Sequence, residues 1–343
     1  MKAAMYLPDG RFSILEKPDP KPGEGEILIR IRSTSICGSD LSRTMGGLRP
    51  EIFRAIQGHE FGGEVLEARA GFEAGDEVCV YPVITCGMCD ACQRGLEHLC
   101  VNLQFLGVQL NGGFCEKAAV PANNLYRLPP EIDMKYASLV EPLAVCIHAV
   151  RKLPVSAGET IAVFGCGMIG FLCAILLREW SAARIIVLDV NPHRLEIARH
   201  FGFETLNPAK EDIVGEMSQK TGGRLADVVF DCAGKPDVPN LLAAVCRVDG
   251  RIILVGTYET TPQFDIQKII RRELVIHGSR IYTRQDFLEA ISLLKNWAVF
   301  SQLPLLSLPL NEINQGFNIL RGEPDILRII LIPDGSERDA DVE

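Results

Sequence analysis

After Pro154, short apolar runs of strand length alternate with segments of helical texture, and this alternation restricts the fold more than any other feature of the chain. The runs are IAVFG (161–165), RIIVLD (184–189), VVFDC (228–232), RIILVG (251–256) and LVIHGS (274–279). Helix-like stretches lie between them. One is PHRLEIARHFG (192–202), which stops at a glycine as a helix should. The pattern predicts an α/β fold with a parallel, doubly wound sheet. The uncharged run 161–177 is slightly short for a membrane span, carries three glycines near its start and lacks flanking topology signals. It reads as a buried strand running into a buried helix.

The first 150 residues have another texture. Strand candidates at 27–31 (ILIRI), 64–66, 77–80 and 115–120 are separated by Gly, Pro and Asp. Near the end, QDFLEAISLLKN (285–296) reads as a helix and RIILIP (328–333) as a last strand. The acidic tail DGSERDADVE is expected to be disordered. A chain of 343 residues has room for about two domains.

The apolar run at 161–165 leads into VFGCGMIG, which places Gly165, Gly167 and Gly170 in G-x-G-x-x-G register, with Ile169 inside the turn. Alone, the motif is weak, and an ordinary glycine-rich turn with Asp189 as a cap is the bland alternative. Here it follows a predicted strand, opens a predicted helix, and is followed by Asp189 at the end of the next strand. A helix N-terminus approached through glycines suits a pyrophosphate. Asp189 can accept from a ribose hydroxyl and repels a 2′-phosphate, which favours NAD over NADP. Arg194 lies either near the adenosine half or on a solvated helix face.

Cys86, Cys89, Cys92 and Cys100 form the run CGMCDACQRGLEHLC, with spacing C-x2-C-x2-C-x7-C. Four thiolates so close in sequence can wrap one tetrahedral Zn²⁺ and fix a loop that has little core of its own. The alternative is disulfides or buried free thiols. Four protein thiolates leave no open position, so this site reads as structural. The other cysteines are scattered and the chain begins MKAAMYLPDG, with no apolar leader stretch, so the cytoplasm is the expected compartment. A net charge of −9 argues against nucleic acid or an anionic membrane as partner.

Three further segments carry possible ligands: ICGSD with Cys37, GHEFGGEV with His59 and Glu60, and VEPLAV with Glu141. A thiolate, an imidazole and carboxylates form the mixed set that an open, Lewis-acidic zinc site uses. Taken singly, Cys37 or His59 is more often just packed.

The GHE segment, the four-cysteine loop, the EP segment and GxGxxG occur in the order seen in zinc-dependent medium-chain dehydrogenases, and the chain resembles that family over residues 1–333. It is most similar to the polyol (sorbitol) and threonine dehydrogenase branch, because Glu141 stands where alcohol dehydrogenases place a cysteine. The resemblance implies a GroES-like, mostly β catalytic domain from 1–150 and 285–343, and a Rossmann NAD-binding domain from 151–284. It implies Cys37 and His59 as catalytic zinc ligands and Glu60 as a direct or switching ligand. Glu141 would be a ligand or hold water at the zinc. The four-cysteine run would hold the structural zinc, and Gly165, Gly167, Gly170 and Asp189 would bind NAD.

Ser39 matches the hydroxyl residue that takes the alcohol proton. Family members usually carry a histidine three residues further on, and here Ser42 stands there, so water and the NAD ribose would carry the proton. The implied reaction oxidises a secondary alcohol on a polyol, sugar, cyclitol or amino-alcohol to a ketone, with hydride transfer to NAD. A sugar acid or sugar phosphate is the alternative, since Arg43, Arg49 and Arg54 follow Cys37; solvated arginines are the plain reading of the same residues. A non-catalytic relative and a zinc-ribbon interaction module fit less well, given the full ligand set and the acidic balance. Partners implied are a small-molecule alcohol or ketone and further copies of the chain, as a homodimer or homotetramer.

Overall fold

The structure, a computed structural model, describes residues 1–45, 55–296, 298–322 and 325–333. The acidic tail, Arg49 and Arg54 lie outside the described residues. The chain divides into two compact units, Met1–Ala144 with Thr283–Glu343, and Val145–Tyr282. The division falls inside the helix Val140–Val150, a few residues before the sequence-based boundary.

In the first unit a sheet runs in the order Leu305–Pro309, Arg328–Ile332, Glu26–Ser35, Glu60–Val65, Glu77–Val80, Leu125–Arg127, and Lys117–Pro121 also pairs with Glu26–Ser35. All pairings are antiparallel except that of Leu305–Pro309 with Arg328–Ile332. Glu26–Ser35 shows why the fragment ILIRI is a strand: Ile27, Ile29 and Ile31 are fully buried and the residues between them are half-buried. That is the period-two pattern of a strand with one face on a core. Phe12, Phe61, Phe114 and Phe317 complete this core. Each large apolar side chain buried there contributes about 1.5–3 kcal/mol.

The second unit holds six parallel strands in the order Glu204–Leu206, Arg184–Leu188, Thr160–Phe164, Ala226–Asp231, Cys246–Leu254, Val275–Gly278. Numbered along this unit the order is 3-2-1-4-5-6, a doubly wound sheet whose switch point lies between Thr160–Phe164 and Ala226–Asp231. Ligands of such sheets bind beyond the carboxyl ends of the strands at that point. The uncharged run at 161–177 is indeed a strand passing into the helix Met168–Ser181. Glu204–Leu206 has no counterpart in the sequence reading; three residues with one buried apolar side chain give no run to detect.

Candidate active site and metal centres

The register between Glu26–Ser35 and Glu60–Val65 pairs Ser35 with Glu60. Cys37 follows Ser35 by two residues and His59 precedes Glu60 by one, so antiparallel pairing brings together groups that lie far apart in the chain. The next strand adds another: Ile330 pairs with Ser35, and Ile36 donates to the Ile329 carbonyl at 3.0 Å. Arg328 is thereby held at the same end of the sheet. Gly58 adopts φ +92°, and a Cβ there would stand 2.5 Å from the Phe114 ring, so glycine is required just before His59.

One donor atom from each of Cys37, His59 and Glu60 lies within 4.8 Å of the others. Asp40 is fully buried beside them. Its Oδ2 accepts from the Cys37 backbone N–H at 3.0 Å, and its Oδ1 stands 3.5 Å from His59 Nδ1 and 2.5 Å from Arg43 Nη2. Burial by itself would raise the Asp40 carboxyl, yet His59 and Arg43 hold it well below the usual carboxylate range. Burial also opposes ionisation of Cys37, but His59 and then Arg328 bring its thiol down to about 6. Burial pushes Glu60 up to about 8, only partly opposed by Arg328. Glu60 Oε2 accepts from the Ser35 hydroxyl, and its Oε1 is 3.3 Å from Arg328 Nη2.

The cluster fits a zinc ion on two counts. Its donors are sulfur, nitrogen and oxygen, and Cys37 is biased toward thiolate. The donors also converge in a buried place, and Asp40 facing His59 Nδ1 leaves the other ring nitrogen for a metal. Glu141, buried in the first turn of Val140–Val150, is not part of this trio, although it acts electrostatically on Arg328. Ser39 lies on the helix Gly38–Met45, and its Oγ accepts from Arg43 Nη2 at 3.2 Å. Ser42 is half-buried on that helix.

The sulfurs of Cys86, Cys89, Cys92 and Cys100 also lie within 4.8 Å of one another. Cys86 and Cys100 are 3.5 Å apart, as are Cys89 and Cys92. These gaps are too long for disulfides. They match a tetrahedron around a metal with bonds of about 2.3 Å, whose sulfurs stand about 3.8 Å apart. Backbone amides of Met88 and Cys89 bring Cys86 down to about 6. Desolvation and the thiols of Cys89 and Cys100 push Cys92 up to about 12. A central cation relieves that crowding of negative charge.

In the second unit Gly165 has φ +89°, and a Cβ at Gly170 would stand 1.7 Å from the Gly165 carbonyl oxygen. Both are therefore fixed as glycine by the fold. Gly167 is different: the nearest atom to a Cβ there, Arg194 Nη1, is 4.0 Å away. Among the described residues nothing crowds that position, and close approach of a pyrophosphate to the backbone would call for glycine there. Gly167 caps the helix Met168–Ser181, with Ile169 half-buried in its first turn. Asp189 is buried at the end of Arg184–Leu188, accepting from Cys166 N–H at 2.6 Å and Asn191 N–H at 2.8 Å. Arg194 Nη1 stands 3.6 Å from Asp189 Oδ2, which ties this arginine to the turn.

Residues 23–130 match the family described as alcohol dehydrogenase GroES-like domain, and residues 169–296 match the zinc-binding dehydrogenase family. The chain is 33% identical to 2-dehydro-3-deoxy-L-galactonate 5-dehydrogenase of Pseudoalteromonas atlantica over 96% of this chain and 98% of that protein. The chain belongs to the zinc-binding alcohol dehydrogenase family. Sorbitol dehydrogenase of Halalkalibacterium halodurans is 31% identical, over 94% of this chain and 96% of that protein. The crystal structure of 2R,3R-butanediol dehydrogenase from Bacillus subtilis superposes with a TM-score of 0.85 at 29% identity, covering 97% of this chain and 99% of that one. This dehydrogenase is thus an oxidoreductase that works with zinc and a nicotinamide dinucleotide, and its fold combines a GroES-like part with a Rossmann-like parallel sheet.

Sequence reasoning missed Arg328 and gave Asp40 no role of its own. The signal for Arg328 was present: a single arginine opens the strand RIILI, whose five residues are all buried. A charge in such a strand needs a buried partner.

Proposed function

We propose that this dehydrogenase oxidises the secondary hydroxyl of a polyol-type substrate to a ketone, with NAD as hydride acceptor. The observation that carries this reading is the juxtaposition of Cys37 and His59 with Ser39 on the adjoining helix turn. Cys37 and His59 hold the catalytic zinc. Glu60 is a direct or switching ligand, and Glu141 serves the same centre from the helix Val140–Val150. Cys86, Cys89, Cys92 and Cys100 hold a second, structural zinc. When bound, zinc supplies a Lewis acid that makes a contacting hydroxyl more acidic, and NAD accepts the hydride.

The chain's own residues prepare that chemistry. Asp40 faces His59 Nδ1 and so turns the other ring nitrogen toward Cys37. Ser39 Oγ takes the substrate's hydroxyl proton. With Ser42 in place of a histidine, this segment offers no imidazole relay beyond Ser39, and the ribose of bound NAD together with water would supply the onward path. Gly165, Gly167 and Gly170 admit the pyrophosphate beside Ile169, and Asp189, with Arg194 at its edge, receives the adenosine ribose and selects NAD over NADP. The catalytic domain is assigned to 1–150 with 285–343 and the cofactor domain to 151–284.

The enzyme works as a homo-oligomer. Val275–Gly278 is an edge strand of the parallel sheet, and Val275, Ile266 and Ile270 are exposed beside it, an apolar edge that a second copy covers. A cytoplasmic location is supported by twelve cysteines without a disulfide. No helix among the described residues is long and apolar enough to cross a membrane. The test is zinc content together with NADH formation on a panel of polyols, sugars and amino-alcohols. About two zinc ions per chain and turnover of secondary alcohols are expected, one ion for each cluster; no turnover by a zinc-loaded preparation overturns the reading.

A further inference from the structure

The parallel sheet carries two buried aspartates at the carboxyl ends of its strands, Asp189 after Arg184–Leu188 and Asp231 at the end of Ala226–Asp231. Asp189 is held by two backbone amides and is assigned to the adenosine ribose. Asp231 lies on the other side of the switch point, in the half of the sheet that takes the second mononucleotide. It is fully buried, and its bonds go to the loops around it. Oδ1 accepts from the Ala233 N–H at 3.0 Å and the Gly234 N–H at 3.1 Å, and Oδ2 accepts from the Tyr258 hydroxyl. Its backbone carbonyl accepts from the Val255 N–H at 2.9 Å and the Gly256 N–H at 2.8 Å.

One residue thus ties the loop after Ala226–Asp231 to the loop after Cys246–Leu254. The two loops also interlock. Gly234 has φ +59°, and a Cβ there would stand 2.7 Å from the Thr257 carbonyl oxygen; a Cβ at Gly256 would stand 2.4 Å from the Gly234 nitrogen. The first loop backs onto the pyrophosphate turn, where a Cβ at Gly165 would meet the Ala233 nitrogen at 2.8 Å. Beyond Gly256 the hold weakens. From Thr257 to Pro262 the Tyr258 hydroxyl makes the one hydrogen bond found among the described residues, and Thr257, Glu259 and Thr260 are exposed. Burial and then the neighbouring Asp231 push the Tyr258 phenol up, so it stays protonated and donates. Desolvating a carboxylate at the end of an apolar strand is costly, and two amides and this phenol offset it.

We propose that Tyr258 is a positioning residue for the nicotinamide half of NAD: its bond to Asp231 holds residues 255–258 in the shape that receives the cofactor. Without the tether the cofactor must order the loop itself, and its affinity falls by the fraction of time the loop is in shape. The adenosine half, received by Asp189 and the Gly165–Gly170 turn, does not depend on this loop. The inference rests on the assignment of NAD to this sheet.

The experiment titrates NADH, followed by its fluorescence, and AMP, followed by calorimetry, into the full-length zinc-loaded wild type, Tyr258→Phe and Asp231→Asn. Melting temperatures check the fold of each variant. Tyr258→Phe removes only the hydroxyl and is expected to weaken NADH binding by about 3- to 10-fold, as for a loop in shape about a third to a tenth of the time, with AMP binding unchanged. Asparagine at position 231 keeps its oxygen on the two loop amides and turns its own N–H toward the Tyr258 oxygen. Asp231→Asn therefore retains the tether with the bond reversed, and its NADH affinity is expected within about twofold of the wild type. Unchanged NADH affinity in Tyr258→Phe would overturn the assignment. So would a parallel loss of NADH and AMP binding, which would make the bond a general brace of the sheet. If the wild type binds neither ligand, the cofactor reading falls and the inference with it.

Discussion

Cys86, Cys89, Cys92 and Cys100 come from fifteen consecutive residues, and only Cys100 is buried. Cys37, His59 and Glu60 reach one another through strand pairing; His59 and Glu60 are buried, and Asp40 and Arg328 are packed around them. The first group is chemically uniform and closed: four sulfurs use every position of a tetrahedron. The second is mixed, and its charges are set by neighbours that are not ligands. A brace needs only local sequence and four equal donors. A reactive centre needs an open position and a surrounding layer that fixes ring orientation and charge. Around the four cysteines that layer consists of local backbone amides rather than charged side chains from distant strands.

Substitutions can break this comparison. The largest effect is expected for Cys37→Ala: kcat/KM falls by about 10³-fold or more, with one zinc lost per chain, because the Lewis acid loses its anchor. Steady-state kinetics with metal analysis check it, and retained turnover would place the chemistry elsewhere. Cys92→Ser is expected to do the opposite, lowering the melting temperature by several degrees while each folded molecule keeps its turnover. A stable but inactive Cys92→Ser protein would erase the distinction between the two sites.

The cofactor turn offers a subtler contrast, since Asp189 is also a buried carboxylate but is held by backbone amides. Asp189→Ala is expected to reduce NAD preference over NADP by about tenfold, close to 1.4 kcal/mol. Equal selectivity in the variant, measured as the ratio of kcat/KM values, would remove Asp189 from cofactor choice.

The smallest effect belongs to a charge pair away from both metal sites. The Arg184 hydrogen bond holds the Glu204 carboxyl below its ordinary value. A depressed carboxyl contributes stability that is complete above its unfolded value and is lost as pH falls through the folded one. The pair is more than a third exposed, so Glu204→Gln should flatten the acid limb of the stability curve by under about 0.5 kcal/mol. Urea melts across that range measure it, and a larger change would mean that surface charge rivals the buried clusters.

What could be read from the sequence divides along the same line. The four-cysteine lobe and the Gly165–Gly170 turn were legible because their reasons are local: donor spacing in one case, backbone contacts between near neighbours in the other. Cys37 and His59 were visible only as residue types whose meeting depends on the register that pairs Ser35 with Glu60. Arg328 reaches the Ile36 carbonyl across 292 residues of sequence, and no spacing rule carries that far. Arg43 was visible as a charge; its bonds to Asp40 and Ser39 depend on where those residues point. Glu141 was picked out by its motif, yet the fold leaves it outside the trio formed by Cys37, His59 and Glu60.

The central claim is that one metal centre is open to substrate and the other closed. Visible absorption of the cobalt-substituted enzyme tests it most directly. Cys92→Ser, with cobalt left at Cys37 and His59, should change its ligand-field bands when an alcohol and NAD are added together. Cys37→Ala, with cobalt left among the four cysteines, should show tetrahedral thiolate bands that do not respond. A response in Cys37→Ala, or none in an active Cys92→Ser protein, would contradict the division between the two sites.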